Sequence, residues 1–162
     1  MSRINLVTSS AIIALTLLPS SVLAQQSQQP QTLKQKLVGN WTLVSCDNTG
    51  GVKFCSDIRG SQSFGGNGRY ILMITKKDRP KVDGGREKAT PEQYKAVAQD
   101  VVANFGTWKV EEDSKELSFT PEGALFPNAE GRERKATVVS LEGDDMKAKG
   151  PILGNSVWHR TR

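Results

Sequence analysis

Short stretches in which apolar and polar residues alternate recur along most of the chain, and turn-forming residues separate them. In residues 40–46, Trp41 and Leu43 share one face, and residues 65–68 (Gly-Gly-Asn-Gly) form a strong hairpin signal. Short strands with frequent turns predict an antiparallel barrel or sandwich. The predicted strands are 40–46, 58–64, 69–75, 107–111, 117–120, 133–141, 146–149 and a last strand that runs to residue 160.

Three segments in or between these strands carry a further expectation. In the third strand, Ile71 and Met73 interleave with other apolar residues, and a strand that is apolar on both faces is usually covered on both sides. Residues 121–123 (Pro-Glu-Gly) are expected to interrupt the sheet after the fifth strand. Residues 76–89 are charged, contain proline and glycine, and are expected to form a loop.

Helical periodicity is convincing in one place. Thr90 is the predicted N-cap, Pro91 stands at the first helical position, Gln93 completes a capping box, and Gly106 ends the helix. We expect the apolar face of this helix to lie on the mouth or wall of the barrel. That face comprises Tyr94, Val97, Ala98, Val101 and Val102.

The two ends of the domain share an aromatic and basic signature. Gly39-Asn40-Trp41 opens the first strand, and Trp158-His159-Arg160 closes the last one. We predict that these strands are neighbours that close the barrel, with Trp41 plugging one end and Arg160 lying across its ring. A guanidinium over an indole contributes about 0.5–2 kcal/mol, and Gly39 lets the backbone turn tightly beneath the plug.

The first residues have a different composition from the rest. Arg3 precedes an apolar run at 11–18, and Val22-Leu23-Ala24 forms a small-residue cleavage pattern. This pattern predicts a signal peptide at 1–24, and therefore a periplasmic or secreted protein. Residues 25–36 are predicted to be a disordered leader, and residues 37–162 are predicted to form the barrel domain. Where these two segments meet, residues 32–37 could form one helical turn. No later segment is apolar enough to cross a membrane.

Charge narrows the range of partners. The chain has 22 basic and 17 acidic residues, a formal net charge of +5. The basic residues are scattered and form no stripe beside stacking aromatic residues, so nucleic acid is not an expected partner. A basic exported protein is often simply soluble, or is weakly attracted to anionic surfaces of the cell envelope. The expected state of the protein is a monomer.

The two cysteines, Cys46 and Cys55, are close in sequence. In an exported protein such a pair indicates a disulfide, which would stabilise the fold by about 2–3 kcal/mol. The alternative is a metal or catalytic thiol, but His159 is the only histidine and no second cysteine pair exists. We therefore expect neither a metal nor a cofactor.

Several segments together resemble the bacterial lipocalin-like domain family. They are 37–45 (Leu-Val-Gly-Asn-Trp-Thr-Leu-Val-Ser), 67–69 and 78–80, 90–94 with 105–108, 123–128 (Gly-Ala-Leu-Phe-Pro-Asn), 141–144, and 157–160. The resemblance extends over about residues 37–160. It implies a mainly β fold, an eight-stranded antiparallel up-and-down lipocalin-like barrel with one inserted α-helix. Most such proteins have no assigned activity, so the resemblance says more about fold than about function.

A barrel of eight strands encloses just enough space for one small ligand. We therefore expect the protein to bind a small, mainly apolar and possibly anionic molecule. If Arg134 faces inward, as its alternation with Ala136 and Val138 indicates, it needs an anionic partner from the ligand or from an internal acid. The candidate ligand-binding residues are Tyr70, Leu72, Phe105, Trp108, Phe119, Phe126, Arg134 and Met146.

Three alternatives stay open. The same side chains could fill the interior completely, so that nothing binds. The cavity could hold a substrate for isomerisation or cyclisation, with Arg134 and Tyr70 or Tyr94 as the acid or base, although no nucleophile–base pair is visible. The leader 25–36 could inhibit a protease by entering its active site. We assign no catalytic residue.

Overall fold

The computed structural model describes residues 30–162, in which residues 31–162 form one compact unit. Its eight antiparallel strands follow one another around a closed barrel, and the first strand pairs with the last. This confirms the predicted fold class. The strands are β1 (Gly39–Cys46), β2 (Ile58–Phe64), β3 (Arg69–Lys76), β4 (Val101–Glu111), β5 (Glu116–Ala124), β6 (Arg134–Glu142), β7 (Asp145–Gly150) and β8 (Gly154–Thr161).

Two α-helices accompany the strands. The helix α1 (Leu33–Leu37) precedes the barrel, and α2 (Pro91–Gln99) lies between β3 and β4. Three short 3₁₀ turns complete the structure at Cys55–Asp57, Arg86–Lys88 and Pro127–Ala129. No helix among residues 30–162 has the length and apolar character that a membrane span requires. The predicted signal peptide at 1–24 lies outside the described residues.

One end of the barrel is sealed by Trp41. Its ring is fully buried, and its indole N–H donates to the carbonyl of Leu37 at 2.8 Å. The guanidinium carbon of Arg160 lies 4.3 Å from the ring centroid, and Arg160 donates to the carbonyls of Val38, at 2.8 Å, and Lys36. Arg160 thereby satisfies carbonyls at the end of α1 while covering the indole face.

Gly39 is needed beneath this seal. Its φ is +135°, a conformation that side chains rarely adopt, and a Cβ there would lie 2.6 Å from a guanidinium nitrogen of Arg160. The absence of a side chain therefore lets the arginine approach the backbone that leads into Trp41.

The helical turn that the sequence allowed at residues 32–37, at the end of the predicted leader, is present as α1. Thr32 caps α1 with a complete capping box, and the carboxylate of Glu112 accepts from the backbone N–H groups of Leu33, at 2.6 Å, and Lys34, at 3.0 Å. Leu37 is fully buried against the core. This helix is only five residues long, so these contacts with the barrel, rather than its own propensity, stabilise it.

The inserted helix begins as predicted but ends earlier. Thr90 and Gln93 form the capping box, and Pro91 is the first helical residue. The chain leaves the helix at Asp100, so Val101 and Val102 belong to β4. No residue of α2 is fully buried: Val97 and Ala98 on the predicted apolar face are half-buried, and Tyr94 is 47% exposed. Backbone pairing with β3 outcompetes a helical extension in the segment that follows Asp100.

Two other expectations about the sheet are corrected. Residues 121–123 do not interrupt it, because β5 continues to Ala124 after a register shift between Phe105 and Gly106 accommodates buried Pro121. The outer face of β3 is not covered either. Within the part of the chain that the structure describes, Ile71 and Met73 remain 61% and 50% exposed.

The opposite end of the barrel is the mouth. Here Cys46, at the end of β1, forms the predicted disulfide with Cys55, and their Cα atoms are 5.2 Å apart. The carboxylate of Asp47 accepts hydrogen bonds from Thr49 and from Asn155, whose backbone and side chain donate at 3.0 and 2.6 Å. These bonds, led by that from the Thr49 hydroxyl, hold the pKa of Asp47 well below its ordinary value. The loop 47–55 is therefore held to β1 by the disulfide and to β8 by the hydrogen bonds between Asp47 and Asn155.

Candidate ligand-binding site

A small cavity lies inside the barrel and has a volume of about 70 Å³. It is lined mainly by inward-facing residues of β2 to β8, which alternate with outward residues along each strand, and by the turn between β7 and β8. Most of the wall is apolar. Its apolar side chains include Phe64, Leu72, Leu117, Phe119, Met146 and Trp158.

A second, wider cavity of about 380 Å³ lies at the mouth. The disulfide-linked loop contributes Val52 and Phe54 to it, and the segment after β5 contributes Leu125 and Phe126. Four residues line both cavities and therefore mark the junction between them. They are Asn104, Arg134, Pro151 and Ile152.

Asn104 supplies a polar group at this junction, and other polar groups lie beside it in the wall of the inner cavity. The Tyr70 hydroxyl donates to Oδ1 of Asn104 at 2.8 Å, and both residues line the inner cavity. This bond leaves the amide N–H₂ of Asn104 as a donor, because the amide oxygen is already the acceptor. Gln62, which is 6% exposed, adds a second amide to the wall of the inner cavity.

Arg134 faces inward, on the same side of β6 as Ala136 and buried Val138. It is half-buried, and among residues 30–162 it takes part in none of the side-chain hydrogen bonds or salt bridges. A partly buried guanidinium without a carboxylate is an unfavourable arrangement unless an anion or water completes it. Of the two partners expected from the sequence, an internal acid is therefore absent from the described part of the barrel.

Burial raises the pKa of Tyr70 from 10.0 to about 12, an effect that the positive charge of Arg134 opposes and the charge of Glu122 reinforces. The phenol is therefore neutral at physiological pH and acts as a hydrogen-bond donor to Asn104. It is not suited to act as a base, because its deprotonated form is strongly disfavoured.

This shift can be measured. In a Tyr94→Phe variant only Tyr70 remains, and we expect its absorbance at 295 nm to titrate near pH 12 in the folded protein, recorded within milliseconds of a pH jump. Because the folded pKa exceeds the unfolded one, Tyr70 contributes stability below pH 10 that is lost as the pH rises towards 12. The urea-unfolded variant is the control and should titrate near pH 10. Titration of the folded variant near pH 10 would show that the phenol is not buried.

The structure brings together five of the eight residues proposed from sequence. The five residues that line the inner cavity are Tyr70, Leu72, Phe119, Arg134 and Met146. Phe126 lies at the mouth cavity and is 54% exposed. Trp108 is buried behind Phe64, with ring centroids 4.7 Å apart, and lines neither cavity. Phe105 points outward, 49% exposed, because its neighbour Asn104 points in.

Sequence reasoning missed two polar residues of the site, Gln62 and Asn104, and a helix prediction explains the second. The prediction placed residues 91–105 in a helix, which concealed the alternation of Asn104, Gly106 and Trp108 along β4. A strand reading of that segment would have put Asn104 on the same face as Trp108.

The histidine and possible metal ligands do not contribute to either cavity. His159 is on the outside of the barrel, where its Nδ1 lies 2.8 Å from Oδ1 of Asp145, so it does not face either cavity. Residues 30–162 contain no group of three His, Cys, Asp or Glu side chains that could hold a metal ion.

The size of the inner cavity limits what it can hold. Cavities of about 150 Å³ accept a benzene ring, and typical pockets for small molecules have about 300–1,000 Å³. At about 70 Å³ the inner cavity holds only a small end of a ligand without side-chain movement, whereas the mouth, at about 380 Å³, accommodates a larger part.

The comparison with protein families agrees with the barrel fold. A family model described as a lipocalin-like domain matches residues 38–161. No curated protein matches the chain. One similar solved structure is described as an NMR structure of the protein from Bacteroides uniformis ATCC 8492. It is 12% identical, covers 81% of this chain and 94% of its own, and has a TM-score of 0.46.

Proposed function

Because the chain belongs to the lipocalin-like domain family, we propose that it binds a small amphiphilic molecule with one anionic group. The anionic group lies at the junction of the two cavities, where Arg134 and the amide of Asn104 donate to it. The apolar part occupies the mouth cavity, and a small end can enter the inner cavity. Arg134, Asn104, Tyr70, Leu72, Phe119 and Met146 form the proposed site, with Phe126 at its entrance.

The observation that carries this proposal is the position of Arg134. A guanidinium lines both cavities, and the described part of the chain supplies no carboxylate for it. A ligand carboxylate, sulfonate or phosphate would complete its hydrogen bonding in a partly desolvated place, where such bonds are worth more than at the surface. The apolar walls on either side supply the remaining affinity.

Export from the cytoplasm forms part of the proposal. The disulfide between Cys46 and Cys55 supports an oxidising compartment, such as the periplasm or the outside of the cell. The signal sequence predicted at 1–24 supports the same location. The function proposed is therefore binding or carrying of a small molecule outside the cytoplasm.

The test is a comparison of ligands that differ only in charge. Straight-chain carboxylates of four to fourteen carbons and the alcohols of the same length are titrated by calorimetry. We expect the acids to bind about ten- to a hundredfold more tightly, as removal of a charged hydrogen-bond partner typically costs about 1.5–3 kcal/mol. Arg134→Gln should abolish this difference between acid and alcohol while leaving the alcohol affinity nearly unchanged.

A matched control is available two residues away. Arg132 is exposed and forms no side-chain hydrogen bond or ion pair within residues 30–162, so Arg132→Gln makes the same change of charge outside the site. If the two variants weaken acid binding equally, Arg134 acts only through the net charge of the protein and not as a direct partner of the ligand anion. If no acid or alcohol binds, and native mass spectrometry of protein from its own host detects no co-purifying molecule, the interior is packed and the proposal fails.

A further inference from the structure

Exposed apolar side chains are concentrated on one sector of the barrel. Among residues 30–162, eight large apolar residues are exposed, and six of them lie on β3 to β5 or on the segments that connect and follow these strands. The other two, Val44 and Val139, lie on β1 and β6. The six are Ile71, Met73, Tyr94, Phe105, Leu125 and Phe126.

The strand register and chain continuity make five of them one continuous patch, which we call the apolar rim. Ile71 pairs with Phe105, and Met73 pairs with Ala103, whose carbonyl accepts the backbone N–H of Leu125 at 2.9 Å. Phe126 follows directly, and both Leu125 and Phe126 line the mouth cavity. The rim of Ile71, Met73, Phe105, Leu125 and Phe126 therefore extends from the outer wall of the barrel to its opening.

A basic loop adjoins this rim. Residues 76–89 leave the mouth end of β3, beside Met73, and contain six basic and three acidic residues, a net charge of +3. None of the six basic side chains takes part in a salt bridge within residues 30–162. The basic residues are Lys76, Lys77, Arg79, Lys81, Arg86 and Lys88.

Exposed apolar side chains beside unpaired cations are the combination that binds anionic lipid surfaces. The apolar groups enter the boundary between headgroups and acyl chains, and the cations attract the lipid phosphates. A protein partner would be expected to pair carboxylates with cations of defined position, whereas the loop is long and its six basic side chains form no salt bridge within residues 30–162. We infer that the apolar rim and the loop 76–89 form a surface that docks the mouth of the barrel on an anionic membrane.

This inference goes beyond the proposed function and does not require it. If both hold, docking puts the mouth cavity against the headgroup region, where an amphiphilic anion would pass between bilayer and barrel without crossing bulk water. If the cavity binds nothing, the surface remains a membrane-docking surface.

The first measurement is co-sedimentation of the full chain with vesicles of phosphatidylglycerol and phosphatidylethanolamine, and with vesicles of phosphatidylcholine. We expect binding to the anionic vesicles that is at least about tenfold stronger and that weakens between 50 and about 200 mM salt. Equal binding to both kinds of vesicle, or no binding to either, overturns the inference.

Two pairs of variants then locate the surface. Leu125→Ser with Phe126→Ser removes the part of the rim at the mouth, and Arg79→Gln with Lys81→Gln removes two charges of the loop. Each pair should weaken binding by about tenfold or more. The matched controls are Val44→Ser with Val139→Ser, and Lys147→Gln with Lys149→Gln, which make the same changes on other faces of the barrel. All chains share one N-terminus, so residues 1–29 cannot cause differences between them.

Two results would show that the rim and the loop do not form a membrane-docking surface. If both control pairs weaken vesicle binding as much as the rim and loop pairs, the attraction is unspecific and the inference is wrong. If analytical ultracentrifugation shows a dimer that Leu125→Ser with Phe126→Ser abolishes, the rim is an interface between copies of the chain. That result also overturns the inference. Circular dichroism of each variant establishes that it is folded.

Discussion

Replacing Trp41 with alanine is expected to lower the free energy of unfolding by about 3–5 kcal/mol, the range for truncating a large buried aromatic residue. The fully buried ring is held by a hydrogen bond to Leu37 and covered by Arg160 at 4.3 Å. Its loss leaves a cavity at the closed end and releases α1 as well. Since domains of this size are stable by only about 5–15 kcal/mol, much of the total stability depends on this plug.

Urea denaturation followed by far-ultraviolet circular dichroism measures this effect. Two further variants help to separate its causes. Arg160→Gln removes the cation above the ring, which is worth about 0.5–2 kcal/mol, together with the hydrogen bonds to Val38 and Lys36, so it should cost at least that much. Val44→Ala, on the outer face of the same strand, should change stability by less than about 0.5 kcal/mol. A loss below about 1 kcal/mol for Trp41→Ala would show that the plug does not hold the barrel closed.

Removal of the disulfide is expected to have the second largest effect on stability. Cys46 and Cys55 are nine positions apart, and release of so short a loop costs about 2–3 kcal/mol in the chain-entropy model. The double variant Cys46→Ala with Cys55→Ala should therefore unfold at a lower urea concentration. The native barrel should persist, because the loop is also held through Asp47 to Asn155.

Reduction provides an independent measurement of the same contribution. Wild-type protein in dithiothreitol should unfold at nearly the urea concentration of the double variant, and dithiothreitol should not affect the variant. Because Val52 and Phe54 lie in the loop and line the mouth cavity, ligand affinity should fall with stability. A double variant as stable as the wild type would mean that the hydrogen bonds of Asp47 alone fix the loop.

The positions of the strands could be predicted because local features specify them. Alternation in β1 and β6 follows from one buried and one exposed face, and the Gly-Gly-Asn-Gly hairpin follows from backbone conformations that glycine favours. The start of α2 was predictable for a similar reason, because a capping box satisfies backbone donors within four residues of one another.

The functional site was only partly predictable. Inward-facing residues in regular strands, such as Tyr70 and Arg134, were identified from alternation. Asn104 was missed because Val101 and Val102 suit either a helix face or a strand, and pairing with β3 decides between them. Phe105 was misplaced by the same error, because a change in the starting point of a strand reverses which side chains face inward.

By itself, the sequence determined the number and order of the strands, the capped start of one helix, and the pairing of the two chain ends through Gly39, Trp41 and Arg160. These depend on residue patterns that a short segment carries in full. Only the tertiary structure decided the end of α2, the contacts of Glu112 with α1, the register shift beside Pro121 and the absence, within residues 30–162, of an acid paired with Arg134. Each of these depends on what a distant segment contributes, and contacts between distant segments exist only once the barrel has closed.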